Sequence, residues 1–161
     1  MQTILQSKTK KTKIDTEGPM IVIGEKINPT GRKKLAAALQ EGNFEYVKEL
    51  AQKQIDAGAD ILDINVGVPE LDQKLLMKKS ILTLTTISDL PLCIDSDDPE
   101  VIEIALKTYP GIALINSVNG KRKSLEKEDR LRSLGKGSSN PIKTSSNCKK
   151  QRSKKIINRS F

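Results

Sequence analysis

Four short aliphatic runs, each followed at once by polar residues, set the tightest limit on what this chain can fold into. They are Met20-Ile21-Val22-Ile23, Ile61-Leu62-Asp63-Ile64, Leu92-Cys93-Ile94 and Ile112-Ala113-Leu114-Ile115. A strand with one face in water alternates apolar and polar residues, whereas a run apolar at successive positions is buried on both faces. Helix-length segments lie between the runs. Lys33 to Gln40 predicts a short helix. A second helix opens at Asn43, a good N-cap, and carries Val47, Leu50, Ala51, Gln54 and Ile55 at helical spacing, with Gly58 where a C-terminal glycine belongs. Residues 71–87 predict a long helix with Leu75, Leu76, Leu82 and Ile87 available for burial. Asp98 followed by Pro99 is a strong start signal for a helix to about Thr108, stopped by Tyr109-Pro110-Gly111.

The order is therefore β-α-β-α-β-α-β, and doubly buried strands joined by helices imply a parallel α/β sheet. About four βα units fit the N-terminal half of a (β/α)8 TIM barrel, or most of a doubly wound sheet. Three regions follow: 1–18, an N-terminal extension whose weak alternation over 2–15 suggests a hairpin; 19–120, the partial barrel; and 121–161, a basic tail. The charge divides at the same junction. Residues 1–120 hold 14 lysines and arginines against 17 acids, a net −3, whereas 121–161 hold 14 against 3, a net +11. Beyond Gly135 the tail is rich in Ser, Asn, Lys and Gly, a composition that cannot bury enough surface to offset ordering entropy and predicts disorder.

Composition also removes chemistries. The chain has no histidine, so imidazole catalysis and His-ligated metals are excluded, and no metal site is expected. Cys93 and Cys148 stand far apart without CxxC spacing, which suggests neither zinc nor a disulfide framework and fits a reducing, cytoplasmic setting. No apolar stretch approaches a membrane span, and no apolar segment follows the N-terminal lysines as a secretory signal would require. The Gly-rich phosphate loops of nucleotide-binding folds are missing, which weakens a nucleotide reading.

What remains is the polar ending of every strand. The first run leads to Glu25 and Asn28, the second to Asp63 and Asn65, the third to Asp95 and Ser96, the fourth to Asn116, Ser117 and Asn119. In a parallel sheet all carboxyl ends share one rim, where ligands bind in both candidate architectures. A carboxylate there can accept two hydrogen bonds from a ring N–H and an adjacent amino group, and an Asn offers a donor and an acceptor without charge. Such a rim suits a planar, nitrogen-rich heterocycle. Each residue alone has a purely structural reading. Asp95 could shape a turn, Asp63 could be a satisfied buried carboxylate, and Glu25, Asn28, Asn65 and Asn119 could form turns. Those readings leave the repetition at four strand ends unexplained.

The motifs "IGEKINPTGR", "GADILDINVG", "PLCIDS" and "LINSVNG", in this order over about residues 19–120, resemble the pterin-binding barrel enzymes. The resemblance is to the methyltetrahydrofolate–corrinoid methyltransferases and the folate domain of cobalamin-dependent methionine synthase, with dihydropteroate synthase a more distant relative. It implies that Asp95 hydrogen-bonds the pterin ring and that Asn116 contacts it near the reacting nitrogen. Asp63 and Asn65 would line the pocket, with Glu25, Asn28 and Ser117 around it. It also implies methyl transfer from N5 of a methyltetrahydrofolate substrate, assisted by Asn116 and Asp95, to a corrinoid (cobalamin) on a partner protein or separate domain. A dihydropteroate-synthase-like pterin protein is the alternative, although "NVGVPELD" after the second run lacks the Gly-Gly-Glu-Ser-Thr-Arg-like stretch expected of that branch.

The chain departs from the resemblance after Gly120, where Lys121 and Arg122 replace the expected acid and no fifth strand follows. A shifted reading frame is suggested, because Gly137-Ser138-Ser139-Asn140 can be encoded by bases that read Ala-Ala-Val in a neighbouring frame. A half barrel predicts bare edges at its first and fourth strands, self-association through them, and weak or absent turnover. The basic tail offers a competing role in nucleic-acid binding by charge alone. Its single aromatic, Phe161, provides no stacking platform, so nucleic acid is disfavoured as a partner.

Overall fold

A computed structural model describes residues 2–116 and, beyond them, the backbone of two short strands. In chain order the elements are β1 (Gln2–Gln6), β2 (Lys11–Asp15), β3 (Ile21–Ile27), α1 (Lys33–Gln40), α2 (Glu45–Asp56), β4 (Ile61–Ile64), α3 (Gln73–Ile87), β5 (Leu92–Asp95), α4 (Pro99–Thr108), β6 (Leu114–Asn116), β7 (Lys143–Thr144) and β8 (Ile156–Arg159). β1 and β2 pair as an antiparallel hairpin. The other six strands form one parallel sheet in the order β7-β6-β5-β4-β3-β8. The α/β architecture of the N-terminal half of a barrel is thus present, with its four successive strands β3 to β6 side by side.

The helices start and stop for local reasons. Asp72 caps α3 by accepting from the Lys74 and Leu75 amides, and Asp98 caps α4 by accepting from Glu100 N at 2.8 Å, with Pro99 in the first turn. Asn43 Oδ1 accepts from Glu45 N at the head of α2, and Gly58 leaves that helix with φ of 83°, a left-handed conformation that glycine adopts without steric cost.

Two apolar clusters lie on the two faces of the sheet. The outer face, with Leu62, Ile64, Leu92, Ile94 and Ile115, packs against α2, α3 and α4 through Val47, Leu50, Met77, Ile81, Leu84, Val101 and Ile102. Among the described residues the inner face is covered at its amino end, where Ile21, Ile23, Ile61, Cys93 and Leu114 meet Leu5 and Ile14 of the hairpin. The hairpin is fastened by a reciprocal pair, Gln6 N to Ile112 O at 3.0 Å and Ile112 N to Gln6 O at 2.7 Å. Tyr109 Oη adds a donation to Gln6 O at 3.1 Å.

Two expectations are corrected. Leu75 and Leu82 were to help bury α3, but they are 47% and 49% exposed. The buried stripe is instead Leu76, Met77, Ser80, Ile81 and Leu84, because α3 sits between α2 and α4 and turns that side inward. The edges of the four-strand unit are not bare either. β7 runs parallel to β6, and β8 runs parallel to β3. Edge N–H and C=O groups need partners, and backbone from residues 143–144 and 156–159 supplies them. The bare edges on which self-association was predicted are therefore occupied. The remainder of 117–161, for which disorder is expected, lies outside the described residues.

A Cβ on Gly111 would overlap the Gln6 carbonyl that joins hairpin to body. Gly111→Ala is expected to lower stability by about 2–3 kcal/mol, since backbone on both sides must give way. Urea unfolding of the full chain measures this.

Candidate functional site

The site is the carboxyl-end half of the inner face. Asp63 on β4, Cys93 on β5 and Leu114 on β6 are register partners, and so, one layer further along, are Asp95 and Asn116. Side chains of register partners in a parallel sheet point to the same face. The apolar cluster around the hairpin therefore gives way, going up each strand, to acids and amides.

Two hydrogen bonds knit the cluster across strands. Asn65 Nδ2 donates to Asp95 Oδ2 at 3.0 Å, and Asn116 Nδ2 donates to Asp63 Oδ2 at 3.3 Å. Asn65 is held at its other end too, where Oδ1 accepts from Gly67 N at 2.8 Å. Each amide thereby fixes the orientation of a carboxylate on a neighbouring element.

Asp63 is buried, with 4% exposure. Removal from water pushes its carboxyl up from the ordinary 3.8 to about 7, and the nearby charges of Asp95 and Glu25 push the same way. The Cys93 thiol and the Asn116 amide oppose this by hydrogen-bonding the charged form. Glu25 is raised as well, first by partial burial and then by Asp95. Cys93, fully enclosed, is raised by burial and by the Asp63 charge, which keeps it a protonated thiol. Three carboxyl groups thus lie close enough on one rim to act on one another, and the most buried of them carries a proton for much of the time near neutrality. The cluster can accept hydrogen bonds from N–H groups and exchange a proton with a ligand in the same place.

Of the residues expected at this site, Asp95, Asn116, Asp63, Asn65 and Glu25 come together. Asn28 does not join them by any described bond; its Oδ1 accepts from Thr30 N at 2.9 Å and shapes the turn after β3. Ser96 likewise serves its own loop, accepting from Asp98 N at 3.1 Å. Ser117 and Asn119 lie outside the described residues. Sequence reasoning placed Gln54 on the buried stripe of α2 but missed its role. Gln54 is fully buried, its Oε1 accepts from Lys26 N at 2.7 Å, and its Nε2 donates to Leu50 O at 3.0 Å. The available signal was an amide among the aliphatic residues of a helix stripe, which needs a partner inside. Among the described residues no group of three ligating side chains could hold a metal ion, and no helix is long and apolar enough to cross a membrane.

A parallel-barrel segment whose inner rim gathers acids and amides from successive strands defines the class: an α/β barrel fold with a polar rim at the strand carboxyl ends. Residues 24–137 match the profile of the pterin binding enzymes, and the chain belongs to that family. Among solved structures it is similar to a Yersinia pestis dihydropteroate synthase in complex with a sulfonamide drug. The identity is 18% and the TM-score 0.58, over 88% of this chain and 50% of the other. It is also similar to a Xanthomonas albilineans dihydropteroate synthase in complex with 7,8-dihydropteroate, at 22% identity and a TM-score of 0.51, over 87% of this chain and 49% of the other. The chain spans about half the length of these synthases, and at such identities the likeness is one of fold.

The raised Asp63 sets a sign for stability against pH. Its proton is held more tightly in the folded chain than in the unfolded one, so its contribution is most favourable below about pH 4 and is lost as pH rises through about 7. Between pH 5 and 8 that loss amounts to about 3 kcal/mol. Asp63→Asn is expected to remove most of it, so that urea midpoints of the variant fall less over that range than those of the wild type. Equal slopes would contradict the assignment.

Proposed function

We propose that this chain binds a reduced pterin on the inner rim, with Asp95 accepting from the ring's amino group and adjacent N–H and with Asn116, Asp63, Asn65 and Glu25 lining the pocket. One observation carries the reading: acid and amide side chains from four successive strands meet on one sheet face, within residues that match the pterin binding enzymes. A carboxylate oriented by an amide donor is pre-arranged for a bidentate N–H pair, so little ordering is left to the moment of binding.

For the chemistry performed on that pterin, the resemblance to dihydropteroate synthases puts a synthase-like reaction on a dihydropterin first. A second reading, methyl transfer from N5 of methyltetrahydrofolate to a corrinoid carried by a partner protein, is favoured by the loop after β4. Asn65-Val66-Gly67-Val68-Pro69-Glu70-Leu71-Asp72 is not the Gly-Gly-Glu-Ser-Thr-Arg-like stretch of the synthase branch. In that reading N5 must gain a proton or a strong hydrogen bond as the methyl leaves. Asp63, protonated for part of the time near neutrality and bonded to Asn116, would supply that proton. The strands described supply one side of a barrel mouth, so binding is the property to measure.

Calorimetric titration of the full chain with a 7,8-dihydropterin and with methyltetrahydrofolate tests both readings. At least one should bind, and the one preferred selects the chemistry. Asp95→Asn is expected to weaken that binding by about 10- to 100-fold, the loss of a charge-assisted pair. Failure of both ligands to bind, or an unchanged affinity in Asp95→Asn, would remove the pterin reading.

A further inference from the structure

β3 contains an irregularity that the pterin site uses. Along β3 and β4, Ile23 pairs with Ile61 and Gly24 with Leu62, but the next pair is Ile27 with Ile64. Two residues of β3, Glu25 and Lys26, therefore stand opposite the single residue Asp63. This is a β-bulge, which leaves one residue outside the ladder and re-aims the side chains around it. The packing records the effect. Ile21 and Ile23 belong to the inner cluster, and strict alternation would put Ile27 there as well, yet Ile27 is buried in the outer, helix-side cluster.

A bulge buried inside a parallel sheet leaves an amide without a ladder partner, and an orphaned buried N–H is costly. Here the amide is that of Lys26, and its acceptor is Oε1 of Gln54, delivered from α2 at 2.7 Å. Gln54 is itself braced through Nε2 on Leu50 O. The fit needs a residue without a side chain at position 24, because a Cβ there would lie 2.6 Å from Gln54 Oε1. Gly24, Gln54 and the Lys26 amide thus form one interlocking unit behind the sheet.

We infer that Gln54 is a positioning residue for the rim: by accepting from the Lys26 amide it holds the β3 bulge, which turns Ile27 back to the helix side and so keeps its hydrocarbon off the inner rim where Glu25 stands beside Asp63 and Asp95. Gln54 touches no ligand; it acts through the strand. The pterin consequence rests on the function proposed above, whereas the placement of Ile27 does not.

The test has a ligand-free arm and a binding arm, both on the full chain. In the wild type the Lys26 amide should be strongly protected from hydrogen exchange, and carboxyl-carbon NMR should show Glu25 titrating above the ordinary glutamate range. Gln54→Met, close in volume but without the amide, should let Ile27 turn onto the rim, raise the Glu25 midpoint further by excluding water, and weaken pterin binding about tenfold. Gly24→Ala, which crowds the same amide from the strand side, should move both readouts in the same direction. Gln54→Glu at pH 5, where a buried carboxylic acid again offers an acceptor and a donor, should restore both.

A Lys26 amide that exchanges freely in the wild type overturns the proposal without any variant. So does a Glu25 midpoint unchanged in whichever of Gln54→Met and Gly24→Ala folds. If the wild type binds no pterin, the functional reading fails, and the exchange and titration results still decide the role of Gln54.

Discussion

A parallel sheet must have both of its faces covered, and this chain covers its inner face in two chemically different ways. At the amino end the hairpin lays Leu5 and Ile14 over the aliphatic residues of β3 to β6. At the carboxyl end no hydrocarbon is offered, and the strands instead carry carboxyl and amide groups that satisfy one another. The boundary runs through a single register layer, Asp63 beside Cys93 beside Leu114, where charge, thiol and methyl groups sit abreast. Everything the site can do follows from that transition, since carboxyl groups next to a hydrocarbon layer are poorly hydrated and hold their protons.

The amides make this tolerable. Three carboxyl groups on one rim repel one another, and a buried polar cluster stabilises a single arrangement only when its members are bonded. Asn65 and Asn116 donate across strands, one to Asp95 and one to Asp63, so two of the three acids are each tied to a different strand or loop. The arrangement behaves as a fixed acceptor surface rather than a set of mobile charges. Family membership adds the kind of ligand such a surface meets; the geometry adds why acids and amides alternate around it.

The sheet was legible because its signals are local. Doubly apolar runs, the Asp98-Pro99 start and the glycine after α2 each report on a few neighbouring residues. The convergence of Asp63, Asp95 and Asn116 was legible too, because a parallel sheet sends every strand end to one rim. The illegible parts depend on contacts between distant segments. The exposed positions of Leu75 and Leu82 depend on how α3 is rotated between its neighbours, which helical spacing alone does not fix. At the β3 bulge the Lys26 amide finds its acceptor on Gln54, 28 residues further on. Asn28 carries the type of residue a ligand site would use, yet its amide is spent on its own turn, a distinction that residue type cannot make.

The bridge between Gln6 and Ile112, with Tyr109 Oη on the same carbonyl across 103 positions of sequence, links nearly the first described residue to nearly the last. Contacts of such long span close late, because the chain entropy lost in joining them is repaid only when both ends are in place. A ribosome would release the hairpin well before its docking surface exists. Its underside, Leu5 and Ile14, would wait in water until the fourth sheet strand emerged, so vectorial synthesis leaves the hairpin without shelter until β6 is made.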